Sequence, residues 1–197
     1  GSSGNCIYVG SDSTHVLVDT GISGKRVEFG LNDLDLSTRD LSGILITHEH
    51  SDHIRGLGVI ARKYQIPIYA TRGTIEAICA SKSLGKFPEN IFHEIRENED
   101  FGLGDLTVKP FAISHDVAQP VGYRLEHGGR AVGIATDMGI YDEYIVGNLS
   151  GLDALLLEAN HDVNMLQVGS YPYPLKRRIL GEKGHLSNET AGQLLCR

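Results

Sequence analysis

The chain has 197 residues, of which 41% are hydrophobic and 22% are charged, and its formal net charge is −7. These proportions are typical of a globular chain that buries a core, and the length fits a single domain over residues 1–197. The acidic balance disfavours broad wrapping of nucleic acid, because affinity for the phosphate backbone comes mainly from lysine and arginine.

Neither a membrane span nor a disulfide framework is indicated by the sequence. No stretch approaches the ~20 consecutive apolar residues that cross a bilayer. The three cysteines, Cys6, Cys79 and Cys196, are scattered and odd in number, which is unlike a disulfide-bonded or thiolate metal-binding pattern. We therefore expect a protein of the reducing cytoplasm that does not enter a membrane.

The predicted elements begin with strand pairs and continue with mixed helices and strands, which favours an α/β layered sandwich over an all-β fold. The segment His127-Gly128-Gly129 is typical of a hairpin turn. Pro110 suggests that its strand lies at an edge or carries a bulge. In chain order, we predict strands at 7–9, 15–18, 43–47, 66–70, 106–113, 121–125, 131–135 and 154–157, and helices at about 26–36, 54–64, 74–83 and 141–149.

A cluster of titratable residues follows directly after the apolar run 43–47. Side chains alternate in an extended segment, so His48 and His50 project to the same side and can bind one cation. Asp52 and His53 follow where the chain turns towards a helix, and they can reach a second cation. Separate ligand pairs for two neighbouring metals are what a two-metal hydrolase requires.

Further candidate ligands follow other predicted strands. His115 comes after the strand that ends at 113 and could complete a three-histidine site, and Asp137, after the strand that ends at 135, is a carboxylate suited to bridge both metals. His161 and His185 come later in the chain. A single histidine or aspartate at a strand end can also serve structure alone, but the cluster upstream favours the ligand hypothesis.

The order H-x-H-x-D-H after an apolar strand, with Asp19-Thr20-Gly21 before it and His115 and Asp137 after it, resembles the metallo-β-lactamase-fold hydrolases. The resemblance covers nearly the whole chain and extends to the YycJ/WalJ subgroup, whose members are described as exonuclease-like or phosphodiesterase-like. It implies a four-layer αββα sandwich with a dinuclear site at one edge of its two sheets. The segments that carry the subgroup resemblance are THEHSDHIRGLGVIARKY, ISHDVAQPVGY, EANHDVNML, YPYPLKRRIL and GHLSN.

The resemblance also implies a ligand set. Imidazole and carboxylate ligands suit two Zn²⁺ ions, although Mn²⁺ or Fe would accept the same set. A hydroxide that bridges the metals would be the nucleophile, and Asp52 would orient it. The first metal takes His48, His50 and His115, the second takes Asp52 and His53, and Asp137 bridges them.

The resemblance is incomplete at both ends of the chain. Relatives carry a further histidine in a second H-L-S stretch after GHLSN, whereas this sequence ends at Arg197. The final ligand of the second metal is then His185, His161 or a residue beyond the chain end. If His185 is not that ligand, it acts as a catalytic acid, binds phosphate or has a structural role. Gly1-Ser2-Ser3-Gly4 is either an expression-tag remnant or the first loop of the family. We favour the second interpretation, which describes a chain that lacks its first strand and its C-terminal part.

The leading functional hypothesis is a dinuclear metal-dependent hydrolase that acts as a phosphodiesterase or exonuclease, with nucleic acid or a small phosphodiester as substrate. His185 or a water would protonate the leaving oxygen. The alternatives are a thioester or ester hydrolase of the glyoxalase II type and a catalytically impaired metal-binding domain.

The basic run Lys176-Arg177-Arg178, with Lys183 nearby, has two interpretations. It is a solvated helix face, or it lines the approach to the metals, with Tyr171 and Tyr173 available to stack on bases. Nucleic acid would have to be gripped by surface loops or by a second subunit, so a homodimer is one expected assembly.

Overall fold

The computed structural model of the protein describes residues 3–197, so Gly1 and Ser2 of the first segment lie outside the described residues. The elements comprise ten strands and eight α-helices within that range. The strands are β1 (Ile7–Gly10), β2 (His15–Val18), β3 (Gly43–Leu45), β4 (Ile68–Thr71), β5 (Phe92–Ile95), β6 (Phe101–Leu103), β7 (Leu106–Ala112), β8 (Val121–His127), β9 (Arg130–Ala135) and β10 (Ala154–Leu157). The helices are α1 (Gly24–Asn32), α2 (Ser51–Ile54), α3 (Leu57–Tyr64), α4 (Arg72–Ala80), α5 (Glu143–Leu149), α6 (Val163–Val168), α7 (Tyr173–Ile179) and α8 (Asn188–Leu195), with short 3-10 turns at Thr38–Asp40 and Lys82–Leu84.

The strands form two five-stranded mixed sheets. The first has the order β1-β2-β3-β4-β5, and the second has the order β10-β9-β8-β7-β6. In the first sheet only the β1–β2 pair is antiparallel, whereas in the second sheet only the β9–β10 pair is parallel. Parallel strands require crossovers, and helices provide them here.

Alternating side chains along the strands produce three apolar layers. Val16 and Val18 of β2 point into the core between the sheets, whereas Leu17 points to the outer core under α1 and α3. A third core packs Phe111 of β7 against α5 and α8. Because the side-chain period of a strand is two, each sheet can pack on both faces. The predicted four-layer αββα sandwich is confirmed.

The strand at 106–113 lies inside its sheet, so the expectation that Pro110 marks an edge strand was wrong in part. β7 pairs with β8 from Thr107 to Ala112, including Pro110 opposite Tyr123. On its other side, β6 reaches only as far as Val108. Pro110 therefore occupies a position where no second strand needs its missing N–H.

Other predicted elements differ mainly in their bounds. The helix expected over 54–64 begins three residues later as α3, and the separate short helix α2 precedes it. The helix expected from Thr74 begins at Arg72, so Thr74 lies buried within it. The sequence analysis did not identify β5, β6, α6 or α8, and it gave a helix at 176–178, within α7, only as one of two interpretations. Within residues 3–197, none of the helices has the length and apolar character that crossing a bilayer demands.

One end of the sandwich collects the titratable residues. The loops after β2, β3, β7, β9 and β10 all begin there, and they carry the residues considered below. Backbone and side-chain bonds join the two sheets at this end: Val121 N–H donates to the carbonyl of Thr47 at 3.0 Å, and the Tyr123 hydroxyl donates to the carbonyl of Ile46 at 2.7 Å.

Candidate metal centre

Three imidazoles converge at the end of the sandwich. His50 Nδ1 lies 3.2 Å from His48 Nε2 and 3.2 Å from His115 Nε2. His48 and His50 come from the loop after β3 in the first sheet, whereas His115 comes from the loop after β7 in the second sheet. The structure thus brings together the three histidines that the sequence assigned to one metal.

The far sides of these rings are fixed by hydrogen bonds. His115 Nδ1 lies 3.1 Å from the carbonyl of Gly184, to which it donates. The Thr47 hydroxyl donates to Asp19 and therefore accepts from His48 Nδ1 at 3.0 Å. Both rings then carry their proton on Nδ1, which leaves the Nε2 lone pairs directed at His50. Such orienting partners are typical of metal-ligating histidines.

A second cluster adjoins the first. His53 Nδ1 donates to Asp19 Oδ2 at 2.7 Å, and its Nε2 lies 2.7 Å from Asp137 Oδ2. Two groups of three residues each offer ligand atoms that lie within 4.8 Å of one another. The first group is His48, His53 and Asp137, and the second is His115, Asp137 and His185. Asp137 therefore lies between the two histidine clusters, where the sequence analysis expected a bridging carboxylate.

The loop Asp19-Thr20-Gly21 supports the second cluster. Asp19 accepts from the N–H and the hydroxyl of Thr47 as well as from His53. Thr20 N–H donates to the carbonyl of His53 at 2.7 Å. Asp19 and Asp137 both adopt the left-handed region, with φ of 62° and 56°. Asp19 thus orients a ligand candidate rather than joining a donor group.

Asp52 is the least engaged of the proposed ligands. Its Oδ2 lies 3.8 Å from His53 Nε2, its side chain is 28% exposed, and it belongs to none of the donor groups found within residues 3–197. It faces the opening of the site beside Asn5, whose Nδ2 is 3.5 Å from the same oxygen. This position suits an interaction with a solvent-derived nucleophile as well as with a cation.

His185 is held by two carboxylates. Its Nδ1 lies 3.0 Å from Glu158 Oε2 and 3.2 Å from Asp137 Oδ1. Glu158 Oε1 accepts from the backbone N–H groups of Met138 and Leu186. Glu158 was not identified from the sequence, although a carboxylate directly after an apolar strand was a usable signal.

His161 does not join these groups. Both of its ring nitrogens are buried and make no hydrogen bond with any of residues 3–197. A backbone bridge between His161 and Ser187 holds it beside the loop of His185. The structure thus leaves it a neighbour of the cluster rather than part of it.

Electrostatics in the cluster reflect burial and close carboxylates. Burial, with the neighbouring His53, lowers the pKa of His48 to about 2, and burial also lowers the pKa of His115. Burial opposes the charge on His53, but Asp19 and Asp137 outweigh it and raise its pKa. Hydrogen bonds to Asp137 and Glu158 raise the pKa of His185.

Asp137 responds in the opposite direction. Burial alone would favour its neutral form, but hydrogen bonds from His185 and His53 lower its pKa well below the usual range. The cluster therefore holds an ionised carboxylate between His53 and His185, whose charged forms it favours. Burial favours the neutral form of His48 and His115.

This donor set fits a bound metal ion. The Nε2 atoms of His48 and His115, whose rings carry their proton on Nδ1, each direct a lone pair at His50 Nδ1 from 3.2 Å. The low pKa of His48 disfavours a proton between them. A cation between the three rings would replace the repulsion of converging lone pairs with attraction. Imidazole with carboxylate is a donor set that Zn²⁺ accepts.

An ion pair not predicted from the sequence lies at the mouth of the site. Arg178 of α7 donates from Nε to Asp116 Oδ2 at 2.5 Å and from Nη2 to Asp116 Oδ1 at 3.1 Å. Asp116 Oδ1 also lies 3.5 Å from His115 Nε2 and 3.7 Å from His50 Nε2. The hydrogen bond from Arg178, opposed by burial, lowers the pKa of Asp116 to about 2.

Residues 14–197 match the protein family described as the beta-lactamase superfamily domain. The chain belongs to this family. Within it, the chain is 43% identical over 191 residues to exodeoxyribonuclease YycJ of Bacillus anthracis, a match that covers 97% of this chain and 72% of that relative. It is 41% identical over 197 residues to exodeoxyribonuclease WalJ of Streptococcus pneumoniae serotype 2, covering 100% of this chain and 73% of that relative. The predicted family and its YycJ/WalJ subgroup are confirmed.

Solved structures of the beta-lactamase superfamily share the architecture. Zn²⁺-bound PqqB from Methylobacterium extorquens superposes with a TM-score of 0.74 at 20% identity, covering 96% of this chain and 71% of that one. The metallo-β-lactamase-fold protein YhfI from Bacillus subtilis gives 0.70 at 19% identity, with 98% and 73% covered. At this level of identity the likeness establishes the fold, which is the metallo-β-lactamase fold.

Proposed function

We propose that the chain is a dinuclear Zn²⁺-dependent phosphodiesterase that acts as an exonuclease on nucleic acid. The observation that carries the proposal is the pair of adjacent donor groups on either side of Asp137, with His185 and Arg178 close by. The names of the two relatives, both exodeoxyribonucleases, support the same reaction and a nucleic-acid substrate. The cytoplasm is the proposed location.

The proposed ligand set follows the donor groups except at Asp52, which is taken from the sequence motif. When bound, the two ions would lower the pKa of a water to near 7 and neutralise charge on the phosphoryl oxygens. Asp52, at the opening, would orient that water through its carboxylate. His48, His50 and His115 would hold the first ion, His53 and Asp52 would hold the second, and Asp137 would contact both.

His185 would supply the proton to the leaving oxygen. Glu158 and Asp137 accept at its Nδ1, which fixes the plane of the ring and leaves Nε2 as the atom that can donate. A general acid positioned in this way contributes about 10²- to 10⁴-fold to a rate. The alternative role, a ligand of the second ion, would use the same ring, since His185 also belongs to a donor group with His115 and Asp137.

Arg178 favours the phosphodiester over a thioester substrate. A guanidinium matches the geometry of phosphate oxygens and makes paired hydrogen bonds with them. A glyoxalase-type thioester hydrolase would use the same H-x-H-x-D-H motif, so that motif does not separate the two reactions. The cation Arg178 beside the site is the feature that separates the phosphodiester reaction from the thioester reaction.

The test compares three substrates in one preparation whose metal content is measured. We expect two bound metals per chain and hydrolysis of bis-p-nitrophenyl phosphate, but no turnover of S-lactoylglutathione or nitrocefin. His50→Ala should abolish the phosphodiester activity and reduce the metal content, whereas His93→Ala, a change on β5 of the first sheet, should leave both unchanged. Thioester turnover without phosphodiester turnover would overturn the proposal, and two bound metals without any turnover would favour a metal-binding domain.

A further inference from the structure

The segment from α6 to α7 exposes an unusual set of side chains. Tyr171 is 57% and Tyr173 is 73% exposed, and neither ring stacks on another aromatic group among the residues that the structure describes. α7 has no buried residue, and it carries Arg177 and Arg178 on its surface. We call the exposed side chains of Tyr171, Tyr173, Arg177 and Arg178 the α7 wall.

The α7 wall is held rigidly against the candidate metal centre. His185 N–H donates to the carbonyl of Ile179 at 3.0 Å, so the C-terminal end of α7 is joined to the loop of His185. Gly184, in the same turn, accepts from His115 through its carbonyl. At the other end, Lys176 Nζ donates at 2.7 Å to two carbonyls at the end of α6. The wall therefore has a fixed position relative to the proposed ligands.

Within the α7 wall, Arg178 is the cation nearest the site. Its partner Asp116 contacts both His50 and His115 through Oδ1. The Arg178 side chain remains 49% exposed while it makes this ion pair. A guanidinium that is half exposed can exchange one carboxylate oxygen for a phosphate oxygen without losing its fixed position, because both anions accept the same paired geometry.

Tyr173 and Arg177 lie one helical turn apart, at i and i+4, and Arg178 follows about 100° further round the helix. A strand that passes along α7 from the metal centre thus meets a cation first, then a second cation next to an exposed aromatic ring. Phosphate-binding cations interleaved with aromatic rings are the pattern that binds single-stranded nucleic acid.

We propose that the α7 wall is the docking surface for a single-stranded nucleic-acid end, in which Arg178 binds the phosphate next to the reacting one and Tyr173 stacks on a base. This inference rests on the proposed function and deepens it. It assigns to an acidic protein a local cationic surface at the place where a polyanionic substrate enters.

A second copy of the chain is the other occupant that an exposed apolar and aromatic surface suggests. In a two-fold dimer the same patch faces itself. Arg178 keeps its partner Asp116 in each copy, but the α7 wall would bring the exposed Arg177 of one copy close to the same cation of the other, which is unfavourable. A polyanion complements this charge, so nucleic acid is the occupant that the charge favours.

The test uses the protein as purified and a fluorescent single-stranded oligodeoxythymidylate whose terminal linkages are phosphorothioates, with binding followed by anisotropy at several salt concentrations. We expect Arg178→Gln to weaken binding by about tenfold, the loss typical of one charge-assisted bond. The slope of log K against log salt should fall by about 0.7, as for one phosphate contact on a single strand. Arg178→Lys should retain the salt slope and lose less affinity.

Two matched controls separate the α7 wall from general surface effects. Arg130→Gln removes an exposed arginine that also pairs with an aspartate, Asp153, but lies at the start of β9. Tyr173→Ala should weaken binding about fivefold or more through lost stacking, whereas Phe29→Ala removes an exposed ring on α1. Both control variants should bind like the unchanged protein.

Equal binding and equal salt slopes for Arg178→Gln and Arg130→Gln would overturn the inference. Hydrolysis of bis-p-nitrophenyl phosphate by the unchanged protein tests the proposed function separately, because that substrate has no neighbouring phosphate. If the diester is hydrolysed and the α7 variants bind normally, only the docking surface is wrong. A dimer in light scattering that dissociates on Tyr173→Ala, without any change in oligonucleotide binding, would assign the surface to a second copy instead.

Discussion

Glu158 decides how the imidazole of His185 is held, and its two oxygens have separate tasks. Oε1 accepts from two backbone N–H groups, those of Met138 and Leu186, while Oε2 faces His185 Nδ1. Glu158→Gln can keep the first task because its amide oxygen still accepts. It presents an N–H group to Nδ1 and removes the charge, so the ring loses the partner that fixes it.

We therefore expect Glu158→Gln to lower kcat on an oligonucleotide by about 10- to 100-fold, the usual effect of losing an orienting partner, with little change in KM. The loss should be smaller with bis-p-nitrophenyl phosphate, because p-nitrophenolate leaves without a proton. Glu126→Gln, on β8 and paired with Arg124 and Lys109, is the matched control. An equal loss on both substrates would contradict the role of His185 as proton donor.

At the scale of single residues, the cluster around His48 was predictable because its residue types are specific and closely spaced in the chain. The structure brings His115 and Asp137 to that cluster, as the sequence analysis expected, and their function as ligands stays a prediction. Glu158 and Asp116 escaped prediction because isolated carboxylates in loops are common. Their importance comes from partners far away in the chain, such as Arg178, 62 positions from Asp116.

At the scale of elements, Gly184 shows how α7 is fixed to the site. A Cβ added at Gly184 would lie 2.2 Å from the carbonyl oxygen of Ile179 and 2.3 Å from that of Arg178. Both are backbone atoms, so the clash cannot be relieved by a side-chain rotation. The turn must move away from α7, and with it the carbonyl that orients His115.

Gly184→Ala should lower the free energy of unfolding by about 1–3 kcal/mol, as for overpacking elsewhere, measured by denaturant titration. Gly192→Ala is the matched control, since nothing lies within 4 Å of a Cβ there. In the middle of α8 it should instead stabilise the fold by about 0.5–1 kcal/mol. If both variants had the same free energy of unfolding, the close approach of α7 to the 181–185 turn would not contribute to stability.

Elements with a strong apolar period were predictable, and weakly patterned ones were not. β2, β8, β9 and β10 follow clear runs of apolar residues. The Gly128-Gly129 turn has positive φ at both positions, as a tight hairpin requires. β5 has the sequence Phe-His-Glu-Ile, and its two central residues are exposed. α7 buries none of its residues. Such segments are defined by tertiary bonds rather than by a pattern of their own.

At the scale of the whole molecule, the layered architecture was predictable from the mixture of elements and from the resemblance of the motifs, whereas the junction of the two sheets was not. The sheets share an apolar core that includes Val18 and Tyr123. At the site end they are also joined by bonds from Val121 and Tyr123 to the loop before His48. These contacts support our proposal that residues 1–197 form one domain.

The proposed ligands come from both sheets, so bound metal should stabilise the whole fold rather than one loop. His48, His50 and His53 follow β3 of the first sheet, whereas His115 and Asp137 follow strands of the second. Ligands that bind only the folded state stabilise it by about 3–4 kcal/mol at 100 to 1,000 times the dissociation constant. We expect chelation with EDTA to lower the melting temperature by about 10 °C for a chain of this size, and added Zn²⁺ to restore it.

The shape of the transition tests the single domain at the same time. The chain has eight tyrosines and no tryptophan, so tyrosine fluorescence reports tertiary structure at all eight rings, including the buried Tyr123, while circular dichroism reports both sheets. Because one core joins the sheets, both signals should follow one cooperative transition with and without EDTA. His50→Ala should show a smaller shift on chelation than the unchanged protein. Two separate transitions would contradict the single domain. A melting temperature that EDTA leaves unchanged would mean that the two sheets do not share a metal centre.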